Sequence, residues 1–296
     1  MKISLKQLQV FVNIARAESM SIGAEKCFIS QAAASMSLSQ LENLLGITLF
    51  DRIGKRIRLN SNGESLLTKA IQILDQVEEF ETFVINDNSL SGKLIIGAST
   101  TIANYLLPKY IAKFKELHPQ VSIRLISNNT QEIINEVEKL NCDVAFVEGE
   151  CHSNMVSTTF WREDNLRVVV RANHPLAKKT DIPVKKLLEY PWVTREAGSG
   201  THQLLIKALG ENIKNLKKAI TLNYDGAKKQ YVYNSDAVAC LSELSIADSW
   251  NGDNFSKLKI KTGELDLNRN FYKLLHKKKY HTSLTKAFCD FIENDI

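Results

Sequence analysis

The chain has 296 residues, of which 44% are hydrophobic and 24% charged, with a formal net charge of +5. At roughly 100–200 residues per domain this is globular composition with room for two or more cores, which excludes a disordered, collagenous or disulfide-scaffold chain. No apolar run reaches the roughly 18–20 residues of a membrane span, and Met1–Gln7 leads into an amphipathic pattern without a signal-peptide core, so a cytoplasmic protein with no membrane partner is expected.

The charge is unevenly spread. Residues 1–60 hold eight Lys/Arg against four Asp/Glu, whereas residues 61–92 hold one against six, so a basic head precedes an acidic connector. The five cysteines (Cys27, Cys142, Cys151, Cys240 and Cys289) include no C-x-x-C pair, and the six histidines lack H-E-x-x-H spacing. Neither a disulfide framework nor a metal site is expected. The thiols read as core or surface residues, with the neighbouring Cys142 and Cys151 as an alternative redox pair.

Residues 4–17 read as an amphipathic helix with Ser4 as N-cap and Leu5, Leu8, Phe11, Val12 and Ala15 on one face. Ser21 is placed to cap a short second helix through Cys27, and Phe28-Ile29 forms an apolar turn. Ser30 then caps a third helix that runs to about Leu45, with Ala34, Leu38, Leu41 and Leu45 inward and Gly46 as its stop. Three short helices with tight turns follow the helix-turn-helix plan. The outward face of the third helix carries Ser30, Gln31, Ala33, Ser35, Met36, Ser39 and Gln40. Most are short donors and acceptors suited to base edges and phosphates. Phe50 to Leu59 alternates apolar and basic residues about Gly54-Lys55, a β-hairpin wing that puts Arg52, Lys55, Arg56 and Arg58 within reach of phosphates or a minor groove.

Leu5-Lys6-Gln7-Leu8, Ser30-Gln31-Ala32-Ala33-Ala34-Ser35, Leu41-Glu42-Asn43-Leu44-Leu45-Gly46 and Leu49-Phe50-Asp51-Arg52 resemble the winged-helix signature of LysR-type transcriptional regulators. The resemblance implies promoter DNA as partner, read by the third helix and the wing. Two departures are chemical: Met36 stands where many members carry Arg, and Ala32 where Pro is frequent.

From Gly63 to about Asn86, Leu66, Ala70, Ile73, Val77, Phe80 and Val84 recur every three or four residues, an a/d seam of about three heptads. Such a seam needs a partner. The resemblance supplies the linker helix of a second subunit, with a dimer or dimer of dimers as the assembly and RNA polymerase as a further candidate partner. Packing of the stripe on the chain's own C-terminal body is the alternative. The expected division is a DNA-binding domain over 1–60, a linker helix over 61–89 and a body over 90–296.

The body alternates strands and helices: strand Lys93–Ala98, helix Asn104–Leu117, strand Val121–Ile126, helix Gln131–Leu140 and strand Asp143–Val147. This predicts an α/β fold with a parallel sheet and ligands at the carboxyl ends of its strands. That rule selects Ser99, Thr100 and Thr101, then Asn128, Asn129 and Thr130, then Glu148. A second lobe brings the strand Leu166–Val170, the segment Pro191–Glu196 and the Gly-rich turn Ala197–His202 opening a helix. That turn suits an anion, although Ser and Thr at helix starts are often simple N-caps. The region resembles the LysR-type effector domain, with its two-lobed periplasmic-binding-protein-like fold. By that resemblance lobe I covers about 93–162 and 267–296, and lobe II about 163–266. Ser99 to Thr101, Asn129, Thr130, Ser199, Gly200 and Thr201 would line the cleft between them, with Glu148 at the adjoining strand end.

Of the segments that carry this resemblance, Leu94-Ile95-Ile96-Gly97-Ala98-Ser99 and Arg195-Glu196-Ala197-Gly198-Ser199-Gly200-Thr201 look most like the branch regulating sulfur assimilation and carbon fixation, which implies a small anionic effector such as sulfite or a phosphorylated or carboxylate metabolite, and no cofactor. His202 adjoins the Gly-rich turn and is the histidine candidate for the cleft, with an outward-facing ring as the alternative. His174 reads as structural. Tyr233 to Val238 replaces a glycine-rich turn of relatives, and its side chains are expected to narrow or reshape the cleft. A solute-binding protein without gene regulation is the competing reading. For an enzyme the sequence offers no nucleophile-base-acid set, metal spacing or phosphate loop.

Overall fold

A computed structural model describes residues 2–53, 56–85, 90–249 and 254–294, with the backbone alone described at 52, 53, 56, 82–85, 248 and 249. The head begins with α1 (Leu5–Ala17), held by a capping box in which the Ser4 hydroxyl accepts from the Gln7 N–H and the Gln7 side chain accepts from the Ser4 N–H. In α2 (Met20–Lys26) the cap is Ser19, whose extended backbone lets its hydroxyl accept from Ile22 N–H, so the expected cap Ser21 lies inside the helix. The next helix, α3 (Gln31–Leu45), starts at Ser30, which accepts from Ala33 N–H, and stops at Gly46 in the left-handed region. Strands β1 (Phe50–Ile53) and β2 (Arg56–Leu59) pair antiparallel as the wing. The linker helix α4 (Ser61–Ile85) leaves the head at a close contact: a Cβ on Gly63 would lie 2.1 Å from the Leu49 carbonyl oxygen.

The body continues with β3 (Gly92–Ser99), α5 (Thr100–Tyr105), α6 (Leu107–Leu117), β4 (Val121–Asn128), α7 (Thr130–Glu138) and β5 (Val144–Glu148). The single helix expected over Asn104–Leu117 is two, broken at Leu106. Pro108 sits in the first turn of α6, where its missing N–H is tolerated, and cannot continue an earlier helix. The chain then crosses over on β6 (Val156–Arg171), a 16-residue strand longer than expected. The second lobe follows as α8 (Val184–Leu187), β7 (Pro191–Thr194), α9 (Gly200–Leu209), β8 (Lys217–Thr221), α10 (Asp225–Tyr233), β9 (Val238–Ser242), α11 (Glu243–Ser249) and β10 (Phe255–Lys257). Finally β11 (Asn268–His276) crosses back and α12 (Ser283–Asn294) covers the first lobe.

The strand order is β4-β3-β5-β11-β6-β9-β7-β8, with β10 added on β6. Each lobe has three parallel strands closed by one antiparallel crossing strand, and the two crossing strands pair with each other. Leu94, Phe114, Phe146, Trp161, Phe271 and Phe288 centre the first lobe's core, whereas Leu166, Val168, Trp192, Leu205 and Val238 centre the second's. Because both crossing strands run through the junction, the carboxyl ends of β3, β5 and β7 converge there. No helix among the described residues is long and apolar enough to cross a membrane.

Candidate functional site

On α3, Ala34, Leu38 and Leu41 are buried in the head, and this turns Gln31, Ala33, Met36 and Ser39 outward, with Ser35 half-buried. Ser30 is exposed at the helix start, its hydroxyl already engaged as the cap. Met36 is 64% exposed. Next to it the expected apolar turn divides: Ile29 is half-buried, but Phe28 is 97% exposed with a left-handed backbone. On the wing Arg58 is exposed; Arg52 and Arg56 are described in backbone only, and Lys55 lies outside the described residues.

The stripe on α4 splits in two. Leu66 packs half-buried on the head, and Ala70 is fully part of the head's own core, which removes it from the seam expected to meet a partner. Packing on the head takes precedence there because Gly63 lets the start of α4 close against Leu49 and Leu59, which lays the helix on α1. Further on, Ile73 and Phe80 are 42% and 71% exposed, with Val77 half-buried between them, while Val84 is described in backbone only. A groove of about 320 Å³, lined by Leu5, Leu8, Leu45, Leu66 and Ile73, adjoins this stripe.

In the body, Glu148 at the end of β5 gathers most of the expected cleft residues. Its carboxylate accepts from the Ser99 hydroxyl, accepts from Thr101 Oγ1 at 3.5 Å and faces Arg269 Nη1 at 3.5 Å, while its backbone carbonyl accepts from Thr130 Oγ1 at 3.1 Å. Arg269 also donates to Asp164 Oδ2 at 2.7 Å and to Thr201 Oγ1 at 3.0 Å. Gly200 lies directly over Glu148, where a Cβ would come within 2.4 Å of its Cγ. Asn129 caps α7 by accepting from Glu132 N–H, and Gln131 N–H donates across the junction to the Gly198 carbonyl at 3.1 Å.

Around the corner, Arg195 donates to Glu196 at 2.9 Å and reaches Thr100 Oγ1 of the other lobe at 3.4 Å. Burial opposes the guanidinium charge, but Glu196, backed by Asp225 and Glu148, holds its pKa above the usual value. Lys228, buried one helical turn on from Asp225 in α10, donates to that carboxylate at 3.1 Å and to the Cys240 carbonyl at 2.8 Å. Burial alone would raise the Asp225 pKa; the Lys228 charge overrides it and the group is held below the usual range.

Several polar atoms in this region are buried with no hydrogen-bond partner among the described residues: Arg195 Nη1, Arg269 Nη2, Thr194 Oγ1, Ser199 Oγ and His202 Nδ1. Ser199 occupies the N-cap position of α9 yet makes no cap bond, and Ser99 likewise makes none on α5. Their hydroxyls are therefore not accounted for as simple caps. His202 is half-buried, and burial together with the Lys218 charge lowers its pKa, so the ring is neutral near pH 7.

The two domains match two family models: residues 5–64 match the bacterial regulatory helix-turn-helix protein of the lysR family, and residues 87–295 match the LysR substrate binding domain. The chain belongs to the LysR family of transcriptional regulators. It is 32% identical over 293 residues to the HTH-type transcriptional regulator YeiE of Escherichia coli K12, covering 99% of this chain and 98% of that one. A full-length OxyR variant of Pseudomonas aeruginosa shares the fold with a TM-score of 0.73 at 19% identity, covering 98% of each chain. The regulatory domain of Synechocystis CcmR, solved in complex with 2-PG, matches with a TM-score of 0.64 at 22% identity, covering 69% of this chain and 97% of that one.

This LysR-type regulator places two expectations elsewhere. Tyr233 to Val238 does not reshape the cleft: Asp236 accepts from Arg171 at 2.6 Å, at the end of β6 seven residues beyond Asp164 and so roughly 23 Å from the junction. The alternative redox pair, Cys142 with Cys151, is not bonded, and burial pushes the Cys142 thiol up to about 12, where thiolate chemistry is suppressed. His174 accepts from Leu176 N–H through Nδ1, a structural role. Sequence reasoning missed Arg269, Asp164, Asp225 and Lys228, and treated Arg195 only as part of a motif.

Proposed function

We propose that this regulator binds a small anion between its lobes, and that the anion alters how a dimer or dimer of dimers engages a promoter. The carrying observation is Arg195: its guanidinium is buried, meets Thr100 of the opposite lobe and keeps Nη1 without a partner among the described residues. An unpaired buried donor of this kind costs free energy until an acceptor fills it, and a carboxylate, phosphate or sulfur oxyanion does so with charge-assisted bonds. Ser199 and Thr194 offer adjoining hydroxyls with the same deficit. Ser99, Thr101, Thr130 and Thr201 hold Glu148 and Arg269 in place, and their bonds support a framework role for them. Neutral His202 is suited to accept or donate one hydrogen bond at the rim.

At the other end of the chain we assign Ser30, Gln31, Ala33, Ser35, Met36 and Ser39 to base and phosphate contacts, with Arg52, Lys55 and Arg56 on the backbone. Ile73, Val77 and Phe80 are assigned to a second subunit's linker helix. A DNA partner supports a cytoplasmic location, and promoter occupancy would bring it to RNA polymerase.

The test is thermal unfolding of the full chain with sulfite, sulfate, phosphate, 2-phosphoglycolate and shikimate. A ligand at about 100 times its Kd should add about 2.7 kcal/mol of stability. Arg195→Met and Thr100→Ala should each remove the shift. If no anion stabilises the protein, or the shift survives both substitutions, the assignment fails.

A further inference from the structure

The helix α7 spans the distance from the cleft to the DNA-reading head. Its first turn is fixed in the cleft by Thr130 on the Glu148 carbonyl and by the Gln131 N–H on lobe II's Gly198. Nine residues later, a helical length of roughly 14 Å, it ends and the chain turns at Leu140 with φ +60, a left-handed backbone uncommon for a branched side chain. That turn pushes Leu140 out of lobe I. The side chain is 3% exposed and packs in the head's apolar cluster with Val12, Ile14 and Ile71 rather than in the core of its own lobe.

Polar contacts secure the same joint. Arg16 of α1 donates to the Leu140 carbonyl at 2.8 Å. Lys279 donates to Asp143 at 2.7 Å and to the Cys142 carbonyl at 3.1 Å, just beyond the turn. On the linker helix, Glu79 accepts from the Tyr280 hydroxyl at 2.7 Å and from the Ser283 N–H at 2.8 Å. The head and linker are thus seated on lobe I at the far end of the helix whose near end feels lobe II.

We propose that α7 and the Leu140 knuckle carry the state of the cleft to the head. The inference rests on the cleft reading above: whatever changes the Gln131–Gly198 contact moves a short rigid helix, and the knuckle then seats better or worse in the head. A packed joint has discrete seats and does not deform continuously, so a small displacement at Gln131 becomes a change in head docking.

Hydrogen exchange of the full chain, followed in peptides of α1 and of residues 139–143, tests this without any ligand. Gln131→Pro deletes the donor to Gly198 at a helix position that tolerates proline, and Gly198→Ala perturbs the same contact from lobe II, where the new Cβ would lie 3.2 Å from Gln131 Cβ. Leu140→Gly removes the knob and suits the left-handed backbone. Either junction variant should speed exchange in α1 roughly three- to tenfold, and neither should add further to Leu140→Gly. Exchange in α1 that ignores both junction variants, or effects that simply add to those of Leu140→Gly, would overturn the relay. An anion that scores in the thermal panel should shift the same peptides. If none scores, the ligand assignment falls, while the variant cycle still decides the relay.

Discussion

The two recognition regions hold their polar groups in opposite ways. On α3 the chemistry-bearing side chains are exposed, with Ser35 half-buried and Ser30 engaged as the cap; in the cleft most hydroxyls and charges are buried and bonded to one another, which leaves a few buried groups, Arg195 Nη1 and the Ser199 and Thr194 hydroxyls among them, without a partner among the described residues. DNA is a large, highly charged ligand that supplies most of its own affinity through phosphates, so its reader can leave donors in water. A small anion offers few contacts, and the site must supply a dry, preorganised set of donors and pay for their burial in advance. That difference predicts that cleft substitutions act on folding as well as on binding, and that substitutions on α3 act on binding alone.

The strongest test of that contrast is Arg269→Met. It leaves Asp164 and Glu148 buried without their cation, and breaking a buried pair this way costs about 3–5 kcal/mol. Urea unfolding of the body should show the loss. A change below about 1 kcal/mol would mean that the network is not a preorganised charge cluster.

Next in size is the junction between the two regions, where Asp75 of α4 is treated differently from Asp225 in the cleft. Burial pushes the Asp75 carboxyl up to about 6, with Lys279 and Arg16 opposing and Asp143 and Glu78 adding to the rise, and its Oδ2 has no partner among the described residues. With a folded pKa above the unfolded one, this group's stabilisation is complete below about pH 3.8 and is lost as pH rises to about 6. The roughly two-unit shift corresponds to about 3 kcal/mol. Asp75→Asn should therefore stabilise the protein at pH 7 and flatten the stability profile between pH 4 and 6. Destabilisation at pH 7 would show instead that the ionised Asp75 is a net asset beside Arg16 and Lys279.

The same contrast explains what could be read from the sequence. Local periodicity located all three head helices, because an exposed recognition face leaves its apolar complement as an unbroken 3.6-residue pattern. The strand-end rule selected Ser99, Thr101, Thr130 and Glu148, which the structure brings together, since strand and helix boundaries are also local. It could not find Arg269 with Asp164, which lie 105 residues apart and look like ordinary surface charges until the crossing strands bring them together. The polar first half of β6 hid the length of that strand for a related reason: Thr158, Thr159 and Glu163 are exposed there, and no apolar run marks them. Leu140 read as the end of a helix, and nothing in its neighbourhood announced that its side chain belongs to another domain.

Binding at the head should be separable from folding. Gln31→Ala should leave the unfolding midpoint within about 0.5 kcal/mol of the parent, as for an exposed side chain. On operator fragments it should lose about 1–3 kcal/mol of discrimination at one base position if Gln31 reads a base edge. Equal weakening on every sequence would make it a phosphate contact instead.

Arg58→Ala carries the smallest expected change, and it separates charge from readout. Arg58 is exposed on β2 and paired in register with Asp51 of β1, so its loss should barely affect stability. If it neutralises one phosphate, the slope of log affinity against log salt should become shallower by about 0.9, equally for specific and random DNA. An unchanged slope would take Arg58 off the DNA and leave the phosphate contacts of the wing to its other basic residues. A slope change confined to one sequence would mean that the wing reads groove shape, and the contrast between an exposed reading face and a buried, largely bonded cleft would then apply to α3 alone.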